Sequence, residues 1–127
     1  MRFIADLHIH SRYSRATSSD MSQENIWKWA QLKGITVIGT GDFTHPKWFA
    51  ELTKSLVPSD SEPGIYLYEG LRWIPQTEIS LIYTHSGKGR RIHHVILAPS
   101  LEIVEQINDW LLKKGRLDYD GRPIFGF

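Results

Sequence analysis

Near the N-terminus, Asp6-Leu7-His8-Ile9-His10-Ser11 sets two histidines two residues apart, directly after the apolar run Phe3-Ile4-Ala5. In an extended strand, residues i and i+2 point to the same face. The spacing predicts two imidazoles side by side at the end of a strand over residues 2–8, with Leu7 and Ile9 turned into packing. Imidazole is the commonest side-chain ligand for zinc-like metals, and two on one face supply half of a metal site. The same pattern also arises when histidines merely alternate with aliphatics on a half-exposed strand. Further ligands must therefore come from elsewhere in the chain.

Three positions qualify. Asp42 ends Gly39-Thr40-Gly41-Asp42, just after the β-branched run Ile35-Thr36-Val37-Ile38, and His45 follows three residues on. It equally fits the N-cap region of a helix opening at Pro46. Glu78 lies inside Ile74-Pro75-Gln76-Thr77-Glu78-Ile79-Ser80-Leu81-Ile82-Tyr83, which has apolar residues on both faces. A carboxylate buried there needs a metal or a cation, and Arg72, Arg90 and Arg91 are the alternative partners. Glu69, next to Gly70 in a turn, is a weaker competitor. His93-His94 opens the run Val95-Ile96-Leu97-Ala98, where alternation lets only one imidazole face a given site. His85, in a glycine-rich turn, is expected to be exposed. Together these give histidines and carboxylates from four strands, a set suited to two metal ions. Such sites activate water and stabilise both attacking and leaving oxygens in phosphoester hydrolysis. Structural metal sites use cysteine-rich shells, and this chain has no cysteine.

Composition bounds what can position these residues. The 127 residues, 41% hydrophobic, 12% aromatic and 23% charged, describe a folded single domain with a real core. A net charge of +1 supplies no global field for nucleic acid or membrane. Without cysteine there are no disulfides or thiolate sites, so His and carboxylates must hold any metal. No signal-peptide layout opens the chain and no apolar run reaches membrane-spanning length, which predicts a soluble, cytoplasmic protein.

A polar loop over 11–20 leads to Ser22, an N-cap for a helix from Gln23 to Lys33 stopped by Gly34. Its expected buried face is Ile26, Trp29, Ala30 and Lys33. A parallel strand over 35–39 follows, then a helix from Pro46 to about Leu56 and a loop over 58–64. Strands are expected at 65–68, 73–83 and 91–98, the last two joined by a hairpin connection over 84–90. Ser100 caps a third helix ending at Lys113-Lys114-Gly115, with a core stripe of Ile103, Ile107, Trp110 and Leu111. Strand, helix, strand, helix opens an α/β fold, in which function collects at the C-terminal ends of strands. The tail from Leu117 to Phe127 reads as interrupted.

The quoted strings resemble the polymerase-and-histidinol-phosphatase (PHP) superfamily. The matching motifs are Asp6-Leu7-His8-Ile9-His10-Ser11, Gly41-Asp42, Thr77-Glu78-Ile79-Ser80 and His94-Val95-Ile96-Leu97. Three longer strings, His8 to Ser14, Gly39 to Trp48 and Ile92 to Ser100, look like the N-terminal third of the endonuclease Q group, which cleaves DNA beside deaminated bases. The resemblance implies metal ligands at His8, His10, Asp42, Glu78 and His94, with His94 favoured over His93. Asp42 and Glu78 would carry the catalytic centre, Glu78 as bridging carboxylate. Asp6 would orient an imidazole with His93 beside the ligands, and Arg12, Arg15 and Lys47 would meet substrate phosphate. The implied cofactors are divalent Zn, Mn or Fe ions, more than one in the complete domain.

The implied fold is an N-terminal portion of a distorted (β/α)7 barrel, with about four or five strands and three helices making residues 1–127 one incomplete domain. An open barrel leaves an edge strand and apolar surface, which implies a homo-oligomer or pairing with a C-terminal half. Two departures stand out. Many relatives carry a ligand His where this chain has Arg15-Ala16, and no histidine follows His94, so the late Asp-x-His is absent. The implied activity is hydrolysis of phosphodiester bonds in DNA through metal-activated water. The alternatives are a metal-binding fragment acting as an assembly module and a small-molecule phosphatase of histidinol-phosphatase type.

Overall fold

Pro75 divides the chain between two sheets. It is fully buried and has no backbone N–H to give to a ladder. The computed structural model describes residues 2–15 and 17–126. Before Pro75, a five-stranded sheet is built from β1 (Ala5–Asp6), β2 (Val37–Gly39), β3 (Val57–Pro58), β4 (Tyr66–Tyr68) and β5 (Leu71–Ile74), in the order β1-β2-β5-β4-β3. β1, β2 and β5 are parallel neighbours, while β3, β4 and β5 pair antiparallel. After it come β6 (Gln76–His85), β7 (Lys88–Leu97) and β8 (Ile124–Gly126), in the order β7-β6-β8. The strand expected over 73–83 is therefore two strands in different sheets. β3 lies where a loop was expected, and the tail contributes β8, which pairs parallel with β6.

The helices follow their end signals. α1 (Gln23–Lys33) is capped by Ser22, whose side chain accepts from Asn25 N, and stopped by Gly34 at φ 69°. α2 (Pro46–Ser55) begins with Pro46 and is capped by His45. α3 (Leu101–Leu112) is capped by Ser100. Its C-terminal end departs from expectation, because Lys113 stays right-handed and Gly115 is not a left-handed cap. Gly115 instead makes room for the tail: a Cβ there would lie 3.1 Å from the Phe125 ring.

The main core joins both layers, with Trp48, Leu52 and Phe43 against Trp73, Ile26 and Val104. A smaller cluster of Ile79, Leu111, Leu117 and Phe125 lies between the second sheet and α3. Trp29 and Trp110, expected on buried faces, are 55% and 58% exposed. The α/β class holds, with three helices and two sheets, and no closed barrel forms among the described residues.

Candidate metal centre

The strand expected over 2–8 is shortened to β1, and the chain leaves the ladder at Leu7. Phe3 and Ile4 are 47% and 56% exposed, and Ile4 is tied to the chain before β2 through its carbonyl, which accepts from Thr36 N and Val37 N. His8 and His10 thus lie beyond the strand end, and other contacts must hold them. Gln76 does this: its Oε1 accepts from Ile9 N at 3.2 Å and from Gly41 N at 3.0 Å. One carboxamide oxygen therefore ties the histidine segment to the turn carrying Asp42. Gly41 allows that approach, since it has φ +67° and a Cβ there would sit 2.8 Å from the Ile9 carbonyl oxygen. Trp48 anchors the same turn, donating from Nε1 to the Thr40 and Gly41 carbonyls at 3.1 and 2.9 Å.

Glu78 is the convergence point. Its Oε2 lies 2.7 Å from His8 Nε2, and its Oε1 lies 3.3 Å from His10 Nε2. Ligand atoms of these three residues all fall within 4.8 Å of one another, a grouping that could hold a metal ion. His93 Nδ1 stands 4.0 Å from Glu78 Oε2, and an Arg122 terminal nitrogen donates to Glu78 Oε1 at 3.4 Å. Ser80 Oγ and Arg122 Nε are buried without partners among the described residues. Two imidazoles and a carboxylate, with the Ser80 hydroxyl oxygen unpartnered beside them, form a set of ligand atoms that fits a divalent ion.

Asp42 is not in this group. It is fully buried, with Oδ1 3.0 Å from His10 Nδ1, while Oδ2 accepts from Ser11 N and Ser11 Oγ, both at 2.6 Å. Expected as a ligand, it stands behind the imidazole instead, where it favours the tautomer that leaves Nε2 toward Glu78. Asp6, expected to orient an imidazole, accepts from the backbone N of His8 at 3.2 Å. His94, the favoured late ligand, is opposite Ile79 on the other face of the hairpin, whereas His93 is opposite Ser80 on the Glu78 face. The register makes the exchange, because alternate residues change faces.

The expected phosphate contacts are dispersed. Arg12 is engaged by Glu51 of α2 and by the Tyr13 hydroxyl. Arg15 is exposed, with its backbone N on Asp120 Oδ1, and its neighbour Ala16 lies outside the described residues. Lys47 is exposed on the first turn of α2. His45 caps that helix through Nδ1 and stacks on Tyr13 at 4.5 Å, while Glu69 occupies a turn at φ 50°.

Two residues at the centre were not singled out by sequence. Gln76 carried no signal beyond its place next to Pro75. Arg122 lies in the tail, 44 positions from Glu78. It arrives because Gly121 closes over Asp42, donating its N–H to the Tyr13 carbonyl at 3.0 Å. A Cβ on Gly121 would lie 2.3 Å from Asp42 Oδ2.

Electrostatics separate the groups. The hydrogen bond to Asp42 raises the His10 pKa above its ordinary value, against the opposing effect of burial. Burial pushes the Glu78 carboxyl up, but His8, His10 and Arg122 outweigh it and hold the carboxyl below its ordinary range. Burial pushes His45 down, in keeping with a neutral ring whose Nδ1 accepts a backbone N–H.

No family model matches the chain. It is 40% identical over 119 residues to the uncharacterized protein MJ0043 of Methanocaldococcus jannaschii, covering 93% of this chain and 13% of that one. Its structure is similar to the lesion-specific endonuclease PfuEndoQ from Pyrococcus furiosus, with a TM-score of 0.80 and 30% identity. It is equally similar, at TM-score 0.80 and 33% identity, to endonuclease Q in complex with a 27-mer duplex substrate carrying an abasic lesion at the active site. Both likenesses cover 97% of this chain but 29% of the solved chain. The chain thus spans under a third of the solved relatives and about an eighth of the curated one.

Proposed function

We propose that this chain forms one wall of a metal-dependent phosphodiesterase centre of PHP type, acting on DNA as an endonuclease. The observation that carries the reading is the meeting of His8 Nε2, His10 Nε2 and the Glu78 carboxylate within 4.8 Å. The likeness to endonuclease Q supplies the substrate class. His8, His10 and Glu78 would hold the ion, and His93 is the nearest further donor. Glu78 offers one oxygen toward each imidazole, the arrangement a bridging carboxylate needs. Asp42 holds His10 in place, and Arg122 brings a guanidinium to neutralise a phosphate. A divalent Zn, Mn or Fe ion bound there supplies Lewis acidity and lowers the pKa of water, the chemistry phosphoester hydrolysis requires.

In this reading residues 1–127 are the N-terminal part of one PHP domain, completed by a C-terminal half or by a second copy. The exposure of the apolar Leu97 and Ile124 on the second sheet supports that completion. Among the described residues no helix is long and apolar enough to cross a membrane. A second reading, a metal-binding module without catalysis, is favoured by one observation: Asp42 and His94 both stand outside the donor group.

The test is to load the chain with Mn or Zn and incubate it with a short DNA duplex bearing uracil, hypoxanthine or an abasic site. Retention of at least one ion per chain and nicking of the lesion strand, both lost in His10→Ala and Glu78→Ala, are the expected results. Retention without nicking establishes the second reading. Neither retention nor nicking overturns both.

A further inference from the structure

The third strand of the second sheet is short. Among the described residues β8 pairs with β6 from Ser80 to Ile82, and beyond it the rungs Tyr83–Arg90, Thr84–Gly89 and His85–Lys88 join β6 and β7. The turn is tight, with Ser86 and Gly87 at φ 53° and 73°, the left-handed pair that a two-residue hairpin connection uses. Every residue from Thr84 to Val95 is exposed.

Its charge is one-sided. Between Glu78 and Glu102 there is no acidic residue, while Lys88, Arg90 and Arg91 are joined by His85, His93 and His94. None of the three permanent cations is in an ion pair among the described residues. The register distributes them over both faces. Arg91 is opposite Ile82 and shares the Glu78 and His93 face, whereas Lys88 and Arg90, opposite His85 and Tyr83, lie on the other. Ile82 is four positions along β6 from Glu78, so the Arg91 rung stands about 14 Å along the strand from the candidate metal centre. On one strand of a duplex that is about four phosphates.

We propose that the tip of the β6–β7 hairpin is a duplex-DNA docking element that enters a groove and contacts phosphates through Lys88, Arg90 and Arg91. The major groove admits a two-stranded ribbon. Cations on both faces of such a ribbon address both phosphate walls, which a single-sided patch cannot do. An acid-free stretch of 23 residues selects a polyanion as occupant over an ordinary protein surface of mixed charge. The proposal rests on the DNA reading of the centre and adds how the duplex is held beside it.

The experiment measures binding of a fluorescein-labelled duplex by anisotropy, with EDTA present so that cleavage plays no part, across 50 to 200 mM salt. The proteins are the unaltered chain, the triple variant Lys88→Ser/Arg90→Ser/Arg91→Ser, and the charge-keeping Arg90→Lys/Arg91→Lys. Loss of three phosphate contacts lowers the slope of log affinity against log salt by about 2.7, so the unaltered chain loses about 40-fold more affinity than the triple variant over that range. The charge-keeping variant retains the original slope, which separates charge from folding. An unchanged slope in the triple variant, no binding by the unaltered chain, or equal loss on duplex DNA and on polyglutamate overturns the proposal. Hairpin-dependent binding without nicking in metal leaves it standing while the catalytic reading fails. Nicking with an unchanged slope does the reverse.

Discussion

Asp42 and Glu78 are both buried carboxylates in contact with His10, yet their surroundings differ in kind. Asp42 receives two hydrogen bonds from Ser11 and contacts His10 Nδ1, and Gly121 closes over it. Its acceptor capacity goes into holding neighbouring chain segments together. Glu78 is met by two imidazoles, a third at 4.0 Å and a guanidinium, side chains from separate segments that converge on one carboxylate. A carboxylate whose demands are met locally builds structure. One on which several imidazoles converge presents lone pairs that a divalent ion can take.

Four substitutions sharpen or break that contrast. The largest effect is expected from Asp42→Ala, which leaves the buried Ser11 N–H and hydroxyl without an acceptor. A loss of about 3 kcal/mol in urea unfolding is the expected result, and a loss below about 1 kcal/mol would erase the distinction. Gly121→Ala drives a methyl into the Asp42 carboxylate and should cost about 1–3 kcal/mol, read from the same unfolding curves. Glu78→Gln is expected to move stability by less than about 1 kcal/mol while metal retention is lost. Asp42→Asn, by loosening His10, should weaken metal affinity about 10- to 100-fold, measured by competition with a chelator.

The smallest effect concerns His45. Burial holds its pKa below the unfolded value of 6.5, so the unfolded chain binds the proton first. Its contribution to stability is complete above about pH 6.5 and is lost as pH falls toward the folded value. The unaltered chain should therefore lose stability from pH 7 toward pH 5 more steeply than His45→Asn, which keeps a capping side chain. Equal slopes in pH-dependent thermal melts would show that the ring is not held neutral.

Much of this arrangement was legible in the residues. The three helices announce their ends through Ser22, Gly34, Pro46 and Ser100, because capping is local chemistry. His8, His10 and Glu78 were singled out by type and spacing, and the fold brings them together. What was not legible depends on contacts distant in sequence. β8 has three residues and exists only through its pairing with β6. Arg122 reaches Glu78 through the closure of Gly121 on Asp42. The choice between His93 and His94 hangs on which two residues of Thr84-His85-Ser86-Gly87-Lys88-Gly89 make the turn. With Ser86 and Gly87 there, even-numbered residues of β6 face odd-numbered residues of β7, and His93 joins Glu78.

The Gln76 carboxamide has a consequence in time as well as in space. A single oxygen accepts the amides of Ile9 and Gly41, so neither amide can be released to solvent by rotating that side chain without releasing the other. The histidine segment and the Asp42 turn, 32 positions apart at Ile9 and Gly41, then open and close as one event. Their two amide protons should share one opening free energy once each is corrected for its intrinsic exchange rate, and a Gln76→Ala chain should free both at once.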